Sequence, residues 1–381
     1  MNIAILLLNQ GRGSGEVARE HVRHLLKIGH KVYFLYPGNN DEIEGAENIN
    51  IKLHTHIMPV HEYLPSAGDK QLQVARMNHE EMMAYLPDYE NALREIASDV
   101  DIFIAHHANL SSVAVHNVAL EFEKPYVVFA HGTGIEPRHD MLWDDENWAM
   151  IKRALLEAKG IIVTTEYVRD QLVKPIIDIQ DNKFLILPCG VDLVDFQPDN
   201  TVGIKEKYDL PETYVICPGA LTKSKGPQNV VESATEFSDL ALSVFIGAGE
   251  LQEELEEKLG DRGRFLGFVS SEDKAKLINA ATLLVAAPEK KEHFGIIYAE
   301  ALAGGTPCVA YEGGGVGSIV TPTEGILTER SPKILGQKIN YLLQNSGLRR
   351  QMAVSCRDRA EKLYDYNNLV QKLVGWLEGL R

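Results

Sequence analysis

The chain has 381 residues, which is too long for one ordinary core and predicts two domains. Its 45% hydrophobic and 24% charged residues exclude a disordered, collagen-like or small disulfide-rich chain, and no apolar run approaches the roughly 18–20 residues that span a bilayer. The formal net charge is −16, with 17 basic against 29 acidic residues up to Gln197, and this acidic balance argues against nucleic acid or an anionic membrane surface as a partner.

Short apolar runs typical of buried strands alternate with helix-length amphipathic stretches along the first half of the chain. The first run leads through a glycine-rich turn into a predicted helix at Glu16–Ile28. The predicted strands of this half are Ile3–Leu8, Lys31–Tyr36, Asp101–Ala105, Tyr126–Ala130, Ile161–Thr164 and Phe184–Leu187. Such alternation indicates βαβ units and a parallel sheet.

The same pattern restarts after Pro198, and a turn-rich stretch at Asp195–Pro211 separates the two series. The predicted strands of the second half are Tyr214–Cys217, Ser243–Ile246, Arg264–Leu266, Leu283–Ala286 and Cys308–Ala310. We therefore expect an α/β protein of two Rossmann-like, doubly wound domains facing a central cleft, with domains at 1–197 and 198–365. The last predicted helix, Tyr366–Leu380, could pack on either domain.

The glycine-rich turn after the first strand is a candidate anion site. Gly13 and Gly15 lie where a strand passes into a helix, and glycines there let the backbone and the helix N-terminus approach a phosphate. The dinucleotide pattern G-x-G-x-x-G is not met, because Glu16 stands at its last glycine. A tight turn needed only for packing is the alternative to a loop that faces a phosphate or an acceptor.

The most informative segment runs from Glu292 through a Phe-Gly break into a helix of small residues that contains Glu300. If this helix starts near Gly295, the second carboxylate lies about 7–8 Å along its axis, at about 1.5 Å per residue. One carboxylate can then accept hydrogen bonds from sugar hydroxyls and the other from a ribose, while the helix N-terminus between them faces an anion. This order matches the parts of a nucleotide-diphosphate sugar.

This segment resembles the signature of the retaining glycosyltransferases of family 4, which have the GT-B fold. Glu292 and Glu300 stand as the E-x7-E pair of the family. The resemblance implies that Glu292 orients the sugar and that Glu300 binds the ribose. It also implies donor contacts from His293, Phe294, Gly295 and Ile296.

Residues 218–226 resemble the family's G-R-L-x-x-x-K-G loop, in which Lys225 is the lysine that clamps the donor diphosphate. An ammonium group on a turn before a helix is a suitable phosphate ligand. The sequence departs from the family at Ala220, where an Arg is expected, and Lys223 or Arg12 could replace that cation.

Three further segments resemble the family. His131 stands in a His-Gly-Thr segment at a predicted strand end and would contact the donor sugar near the reacting carbon. Gly267, Phe268 and Val269 resemble the loop that contacts the nucleotide base through backbone groups. A glycine turn ends in Ser318, where the family usually has Glu. The resemblance also implies that the last helix, 366–381, crosses back to the first domain.

Other polar clusters predict no additional site. Asp99-Val100-Asp101 is a weak metal motif, and the family works without a metal ion. His106 and His107 are neighbours, and adjacent side chains on an extended backbone point to opposite faces, so we expect no joint metal ligation. Trp143 and Trp148 could form a stacking surface for an acceptor.

The resemblance implies a metal-independent, cofactor-free hexosyltransferase that moves a sugar from a nucleotide-diphosphate donor to an acceptor hydroxyl with retention, with Glu292, Lys225 and His131 as its catalytic residues. A UDP-sugar is the favoured donor and GDP-mannose the next. A GT-B sugar-nucleotide 2-epimerase and a non-catalytic sugar-nucleotide-binding relative remain as alternatives. The four scattered cysteines favour a reducing, cytoplasmic location.

Overall fold

The computed structural model describes residues 1–10, 13–38, 42–62 and 70–381. The chain divides into two compact units, the first formed by Met1–Pro188 with Leu369–Arg381 and the second by Cys189–Asn368. Arg12, the proposed substitute for the missing family Arg, lies outside the described residues. No helix within the described ranges is long and apolar enough to cross a membrane.

The first unit is built on a parallel sheet. Its strands are β1 (Asn2–Leu6), β2 (Lys31–Tyr36), β3 (Glu47–Asn50), β4 (Met58–Val60), β5 (Gln71–Gln73), β6 (Ile102–His106), β7 (Tyr126–Ala130), β8 (Gly160–Val163) and β9 (Phe184–Ile186). Its helices are α1 (Gly13–Lys27), α2 (His79–Arg94), α3 (Leu110–Glu121), α4 (Glu136–His139) and α5 (Asp145–Glu157). Seven strands join in the order β3-β2-β1-β6-β7-β8-β9, and β4 and β5 pair separately.

The second unit repeats this plan. Its strands are β10 (Tyr214–Pro218), β11 (Leu242–Ile246), β12 (Gly263–Phe265), β13 (Leu283–Ala286), β14 (Cys308–Tyr311) and β15 (Gly325–Thr328). Its helices are α6 (Ile204–Lys207), α7 (Pro227–Ser233), α8 (Gln252–Leu259), α9 (Ser271–Asn279), α10 (Ile296–Ala303), α11 (Pro332–Gln344) and α12 (Ser346–Leu363). The six strands are parallel in the order β12-β11-β10-β13-β14-β15.

Both strand orders are those of a doubly wound fold, which confirms the predicted α/β class with two Rossmann-like units. The central strands are buried over their whole length, as in β6 and β13, because helices cover both faces of a parallel sheet. The order of the strands reverses between β1 and β6 in the first unit and between β10 and β13 in the second. Ligands of such folds bind at this switch point, beyond the carboxyl ends of the strands.

The border between the units lies at Pro188 and Cys189, ahead of the border expected after Gln197. Hydrogen bonds hold the intervening stretch on the second unit. Val191 N donates to Tyr364 O at 2.8 Å, and Arg357 Nη1 donates to Phe196 O at 2.8 Å. The turn-rich stretch that suggested the later border therefore belongs to the second unit.

The last helix, α13 (Tyr366–Glu378), carries the chain back to the first unit, which includes Leu369–Arg381. Lys372 Nζ donates to Ile186 O at 2.8 Å. A Cβ atom at Gly160 would lie 2.4 Å from the Trp376 ring, so β8 has a glycine where this helix packs.

Candidate active site

An ion pair bridges the two loops at the switch point of the second sheet. Lys225 follows β10 and Glu292 follows β13, which are neighbouring strands. Lys225 Nζ lies 2.8 Å from Glu292 Oε1. The two side chains are 49% and 24% exposed, so both charged groups remain accessible to a ligand. The structure thus brings together two residues that the sequence identified in separate motifs.

The loop that carries Glu292 is fixed by main-chain hydrogen bonds on two sides. Glu289 N donates to Ser224 O at 3.0 Å, which ties this loop to the turn that bears Lys225. On the other side, Gly315 N donates to Glu292 O at 2.8 Å. A Cβ atom at Gly314 would lie 2.1 Å from the same carbonyl oxygen, so the glycine turn can approach only without a side chain. Glu292 is therefore held in place by its backbone.

Two side chains that sequence reasoning missed also hold this loop. Asn229 Nδ2 donates to Ala287 O at 3.0 Å and to Glu289 Oε1 at 2.7 Å. Arg330 Nη1 donates to Glu289 O at 2.6 Å. These partners lie 41 to 60 positions from the residues that they hold, and no local pattern in the sequence marks them.

The helix between the two glutamates begins at Ile296, directly after Gly295. Gly295 has φ +87°, and a Cβ atom there would lie 2.7 Å from the Tyr298 ring, so both its conformation and its surroundings require glycine. Phe294 is buried with its ring centroid 5.9 Å from that of Tyr364, while His293 and Ile296 are partly exposed. The start of α10 therefore adjoins Glu292, as the sequence predicts.

Glu300, the fifth residue of α10, is buried and paired with a lysine that the sequence did not single out. Lys274 Nζ, on α9, lies 2.6 Å from Glu300 Oε1, whereas Oε2 is buried with no hydrogen-bond partner within the described part of the chain. Burial raises the pKa of Glu300 above its usual range, and the charge of Lys274 acts in the opposite direction. One carboxylate oxygen thus keeps its capacity to accept a hydrogen bond.

The loop predicted to contact the nucleotide base follows β12. Gly267 O accepts a hydrogen bond from Gly247 N at 2.7 Å, which anchors the loop to its neighbour after β11. Phe268 is 85% exposed, and Val269 is partly buried. A large aromatic ring with so much exposed surface is available to a planar ligand.

Ala220 and Ser318, the two residues that depart from the family pattern, differ in their surroundings. Ala220 and Lys223 are both exposed, and Lys223 lies in the same short turn as Lys225. Ser318 Oγ donates to Gly315 O at 2.6 Å, so this side chain closes the glycine turn.

Gly13 and Gly15 belong to the first unit, whereas the other predicted donor residues belong to the second. α1 begins at Gly13. A Cβ atom at Gly15 would lie 1.9 Å from Gln10 O, so close packing of the turn is sufficient to require this glycine. The structure thus supports a packing reason for Gly15.

His131 lies in a cluster of buried rings at the carboxyl end of the first sheet. Its ring stacks on Phe129 with centroids 4.0 Å apart, and its Nε2 lies 2.9 Å from His106 Nδ1. Burial lowers the pKa of His106 to about 3 and that of His61 to about 4. Both rings are therefore neutral at neutral pH and act as hydrogen-bonding groups without charge.

The extended backbone that was expected at His106 and His107 is interrupted at His107. The ring centroids of both lie close to that of His131, at 5.0 Å and 4.7 Å. The reason is that His107 has φ +72°, so the backbone leaves the extended conformation at this residue. Among the described residues no group of three or more His, Cys, Asp or Glu side chains has the arrangement of a metal site.

The suggested stacking surface at Trp143 and Trp148 is also wrong. Both side chains are buried in the core of the first unit, and Trp143 Nε1 donates to Gly134 O at 3.2 Å. These rings therefore pack the interior and are not available to an acceptor.

Comparison with known protein families matches nearly the whole chain. Residues 11–195 match the family described as Glycosyltransferase Family 4, and residues 203–359 match that described as Glycosyl transferases group 1. An uncharacterized glycosyltransferase from Methanocaldococcus jannaschii is 25% identical over 269 residues, which are 66% of this chain and 68% of that protein. The D-inositol 3-phosphate glycosyltransferases of Nocardioides sp. and Mycobacterium sp. are 25% and 32% identical, and the matches cover only 53% and 38% of their own length.

Solved structures share the fold over the full chain at low sequence identity. The sucrose-phosphate synthase from Thermosynechococcus elongatus has a TM-score of 0.79 at 19% identity, with coverage of 100% of this chain and 98% of that one. HepE from Anabaena, in its complex with UDP-glucose, has a TM-score of 0.75 at 16% identity, with 100% of each chain covered. With its two family matches and its two parallel Rossmann-like sheets, the chain belongs to the family 4, group 1 type of glycosyltransferases with the GT-B fold.

Proposed function

We propose that this protein transfers a hexose from a nucleotide-diphosphate sugar to an acceptor hydroxyl, with retention of the anomeric configuration. The Lys225–Glu292 pair beside the start of α10 carries the proposal. It combines, at one switch point, a cation for the diphosphate, a carboxylate for sugar hydroxyls and a helix N-terminus that favours an anion.

The donor roles follow from the chemistry of each group. Lys225, with Lys223 in the same turn, neutralises the diphosphate, and Glu292 accepts hydrogen bonds from the sugar. The partnerless Oε2 of Glu300 is suited to accept a hydrogen bond from a ribose hydroxyl. The exposed ring of Phe268 can stack on the base.

Catalysis in this proposal depends on orientation and on stabilisation of the departing diphosphate. The bond from the anomeric carbon to the diphosphate oxygen breaks as the acceptor hydroxyl oxygen bonds to that carbon from the same face, and the hydroxyl proton passes to the departing diphosphate. No covalent intermediate with a protein nucleophile is then required. Lys225 and the backbone at the start of α10 stabilise the negative charge that develops on the leaving group, which removes the need for a metal ion. His131, in the first unit, contacts the sugar near the reacting carbon, and the first unit binds the acceptor.

A UDP-sugar is the favoured donor, because the structurally similar HepE binds UDP-glucose, and GDP-mannose is the second candidate. The acceptor carries a free hydroxyl. A cytoplasmic location is part of the proposal and is supported by four cysteines without a disulfide, three of them buried.

The test is to incubate the purified protein with UDP-glucose, UDP-N-acetylglucosamine or GDP-mannose, each with and without a panel of sugar, sugar-phosphate and polyol acceptors. Mass spectrometry detects a glycosylated acceptor, and the anomeric coupling constant in its proton NMR spectrum reports retention or inversion. We expect an acceptor-dependent product with a retained anomeric configuration. An acceptor-independent isomer of the sugar nucleotide would indicate a 2-epimerase, and donor binding without turnover would indicate a non-catalytic relative.

A further inference from the structure

One imidazole ring joins the loops at the switch point of the first sheet. β1, β6 and β7 are neighbours, and their carboxyl ends lead into the first glycine turn, His107 and the His131-Gly132-Thr133 turn respectively. The side chain of His107 is buried between them, with the whole residue only 3% exposed. The donor roles proposed above do not use this residue.

Both ring nitrogens of His107 bond to hydroxyl groups from different loops. Nε2 lies 2.9 Å from Ser14 Oγ, at the start of α1, and Nδ1 lies 3.0 Å from Thr133 Oγ1. The ring is also near those of His61 and His131, with centroid distances of 4.0 Å and 4.7 Å. An imidazole ring has a hydrogen-bonding nitrogen on each of two sides, so it can serve two hydroxyls at once in fixed directions.

The backbone of His107 is strained. Its φ of +72° lies in the left-handed region, which is uncommon for a residue with a β-carbon. Such strain persists where the surroundings hold the residue in place, and it is frequent at functional sites. The main chain continues the sheet nonetheless, because His107 N donates to Phe129 O at 2.9 Å. With this backbone conformation, the ring of His107 reaches Ser14 and Thr133 while its main chain keeps the hydrogen bond to the neighbouring strand.

We propose that His107 is a positioning residue for the transfer reaction, which fixes the start of α1 and the His131 turn relative to each other through Ser14 and Thr133. The proposal rests on the proposed function, since it assigns His107 the task of holding His131 where that residue acts. A ring that served only to fill space would not need its two nitrogens matched to two hydroxyls. Loss of the nitrogens should therefore impair transfer even when the ring volume is kept.

The test compares His107→Phe with a matched control in the same unit. His116 is also buried and also places Nδ1 2.9 Å from a hydroxyl, that of Tyr126, but it lies on α3. His116→Phe therefore removes a similar hydrogen bond and keeps a similar ring at a position away from these loops. The measurements are kcat, the dissociation constant of the donor, the midpoint of urea unfolding, and amide hydrogen exchange in residues 13–22 and 131–136.

We expect His107→Phe to lower kcat at least about tenfold, because small misplacements of reacting groups are costly. The donor dissociation constant should stay within about twofold of the wild-type value, because the groups assigned to the diphosphate, the ribose and the base lie in the second unit. Amide exchange should become faster in both segments. His116→Phe should shift the midpoint of urea unfolding about as much as His107→Phe does, but it should change neither kcat nor amide exchange in the two segments. Thr133→Val should lower kcat as His107→Phe does, whereas Thr133→Ser, which keeps the hydroxyl, should have a kcat close to that of wild type. In the double variant, Thr133→Val should lower kcat little beyond the loss already caused by His107→Phe.

The proposal is overturned if His107→Phe keeps kcat within about twofold of wild type, or if its loss of kcat equals that of His116→Phe. It is also overturned if amide exchange is unchanged in both segments. The exchange measurement needs no turnover, so it decides the positioning role even if the wild-type protein transfers no sugar, an outcome that would count against the proposed function alone.

Discussion

Lys225 and Glu292 are 67 positions apart in the chain, yet their charged groups lie 2.8 Å from each other. They meet because β10 and β13 are neighbours at the point where the strand order of the second sheet reverses. An ion pair with this much exposure contributes only about 0–1 kcal/mol to stability. The ion pair therefore contributes little to the folding of the unit, and its role in the proposed function is open to direct test.

Glu292→Ala should lower the rate of sugar transfer at least about 100-fold, which is the scale of losing a positioning or charge-stabilising contact. The comparison is Glu254→Ala, which removes an exposed carboxylate from α8 of the same unit and should leave the rate unchanged. Transfer rates measured at saturating donor separate the two variants. Near-normal turnover in Glu292→Ala would refute its assigned role.

Lys225→Ala should weaken donor binding about tenfold or more, because a charge-assisted hydrogen bond to the diphosphate is lost. Lys205→Ala is the matched control, since Lys205 also forms an exposed ion pair, at 2.8 Å from Glu212. Isothermal titration calorimetry with UDP and with the active sugar nucleotide measures the donor affinity of both variants. Equal donor affinity in Lys225→Ala and Lys205→Ala would contradict the phosphate role.

Donor affinity should rise as the pH increases through the mildly acidic range. Burial raises the pKa of Glu300, so this carboxyl group is partly protonated at a pH where an ordinary Glu is already ionised. Its ionised form is the better acceptor for a ribose hydroxyl. Glu300→Gln should bind the donor more weakly, and its affinity should depend less on pH than that of the wild type. The same pH slope in wild type and variant would exclude Glu300 as its source.

His131→Ala should lower turnover more than donor affinity, because the groups assigned to the diphosphate, the ribose and the base lie in the second unit and His131 lies in the first. The expected loss of kcat is at least about tenfold, with a dissociation constant for the donor close to that of wild type. Turnover assays and calorimetry on the same preparation give the two numbers. Lost donor binding with intact turnover is the pattern that this role does not permit.

The histidine cluster should make the first unit less stable in acid. Burial lowers the pKa of His106 to about 3, so the folded state resists a proton that the unfolded state binds near pH 6.5. The free energy of unfolding should therefore fall as the pH drops from about 6.5 towards 3, by up to about 1.4 kcal/mol per pH unit for this one group. His106→Gln should reduce the slope of the urea midpoint against pH. An unaltered slope would mean that the acid sensitivity arises elsewhere.

The central strands were predictable from the sequence because they are buried on both faces and read as continuous apolar runs, as in β6 and β13. The edge strands β9 and β12 were also predicted, but the edge strands β3 and β15 were not. β3 has the sequence Glu-Asn-Ile-Asn with exposed ends, so it lacks an apolar run, and its position depends on pairing with β2. β15, at the other sheet's edge, is short and only partly buried in its middle.

Some residues of the candidate site could likewise be predicted from the sequence, and others could not. Glu292, Gly295 and Glu300 lie on one continuous segment, so their spacing could be interpreted directly. Lys274 and His107 act through partners that are remote in sequence, at 26 positions for Glu300 and 93 for Ser14. Tertiary packing brings these partners together, and a left-handed backbone at His107 overrides the alternation expected for a strand.

The most direct test is a crystal structure of the protein with its preferred sugar nucleotide. The account predicts that the hexose hydroxyls lie within hydrogen-bond distance of the Glu292 carboxylate and the diphosphate oxygens within the same distance of Lys225 Nζ. A nucleotide sugar bound elsewhere, with Lys225 and Glu292 still paired only to each other, would contradict it.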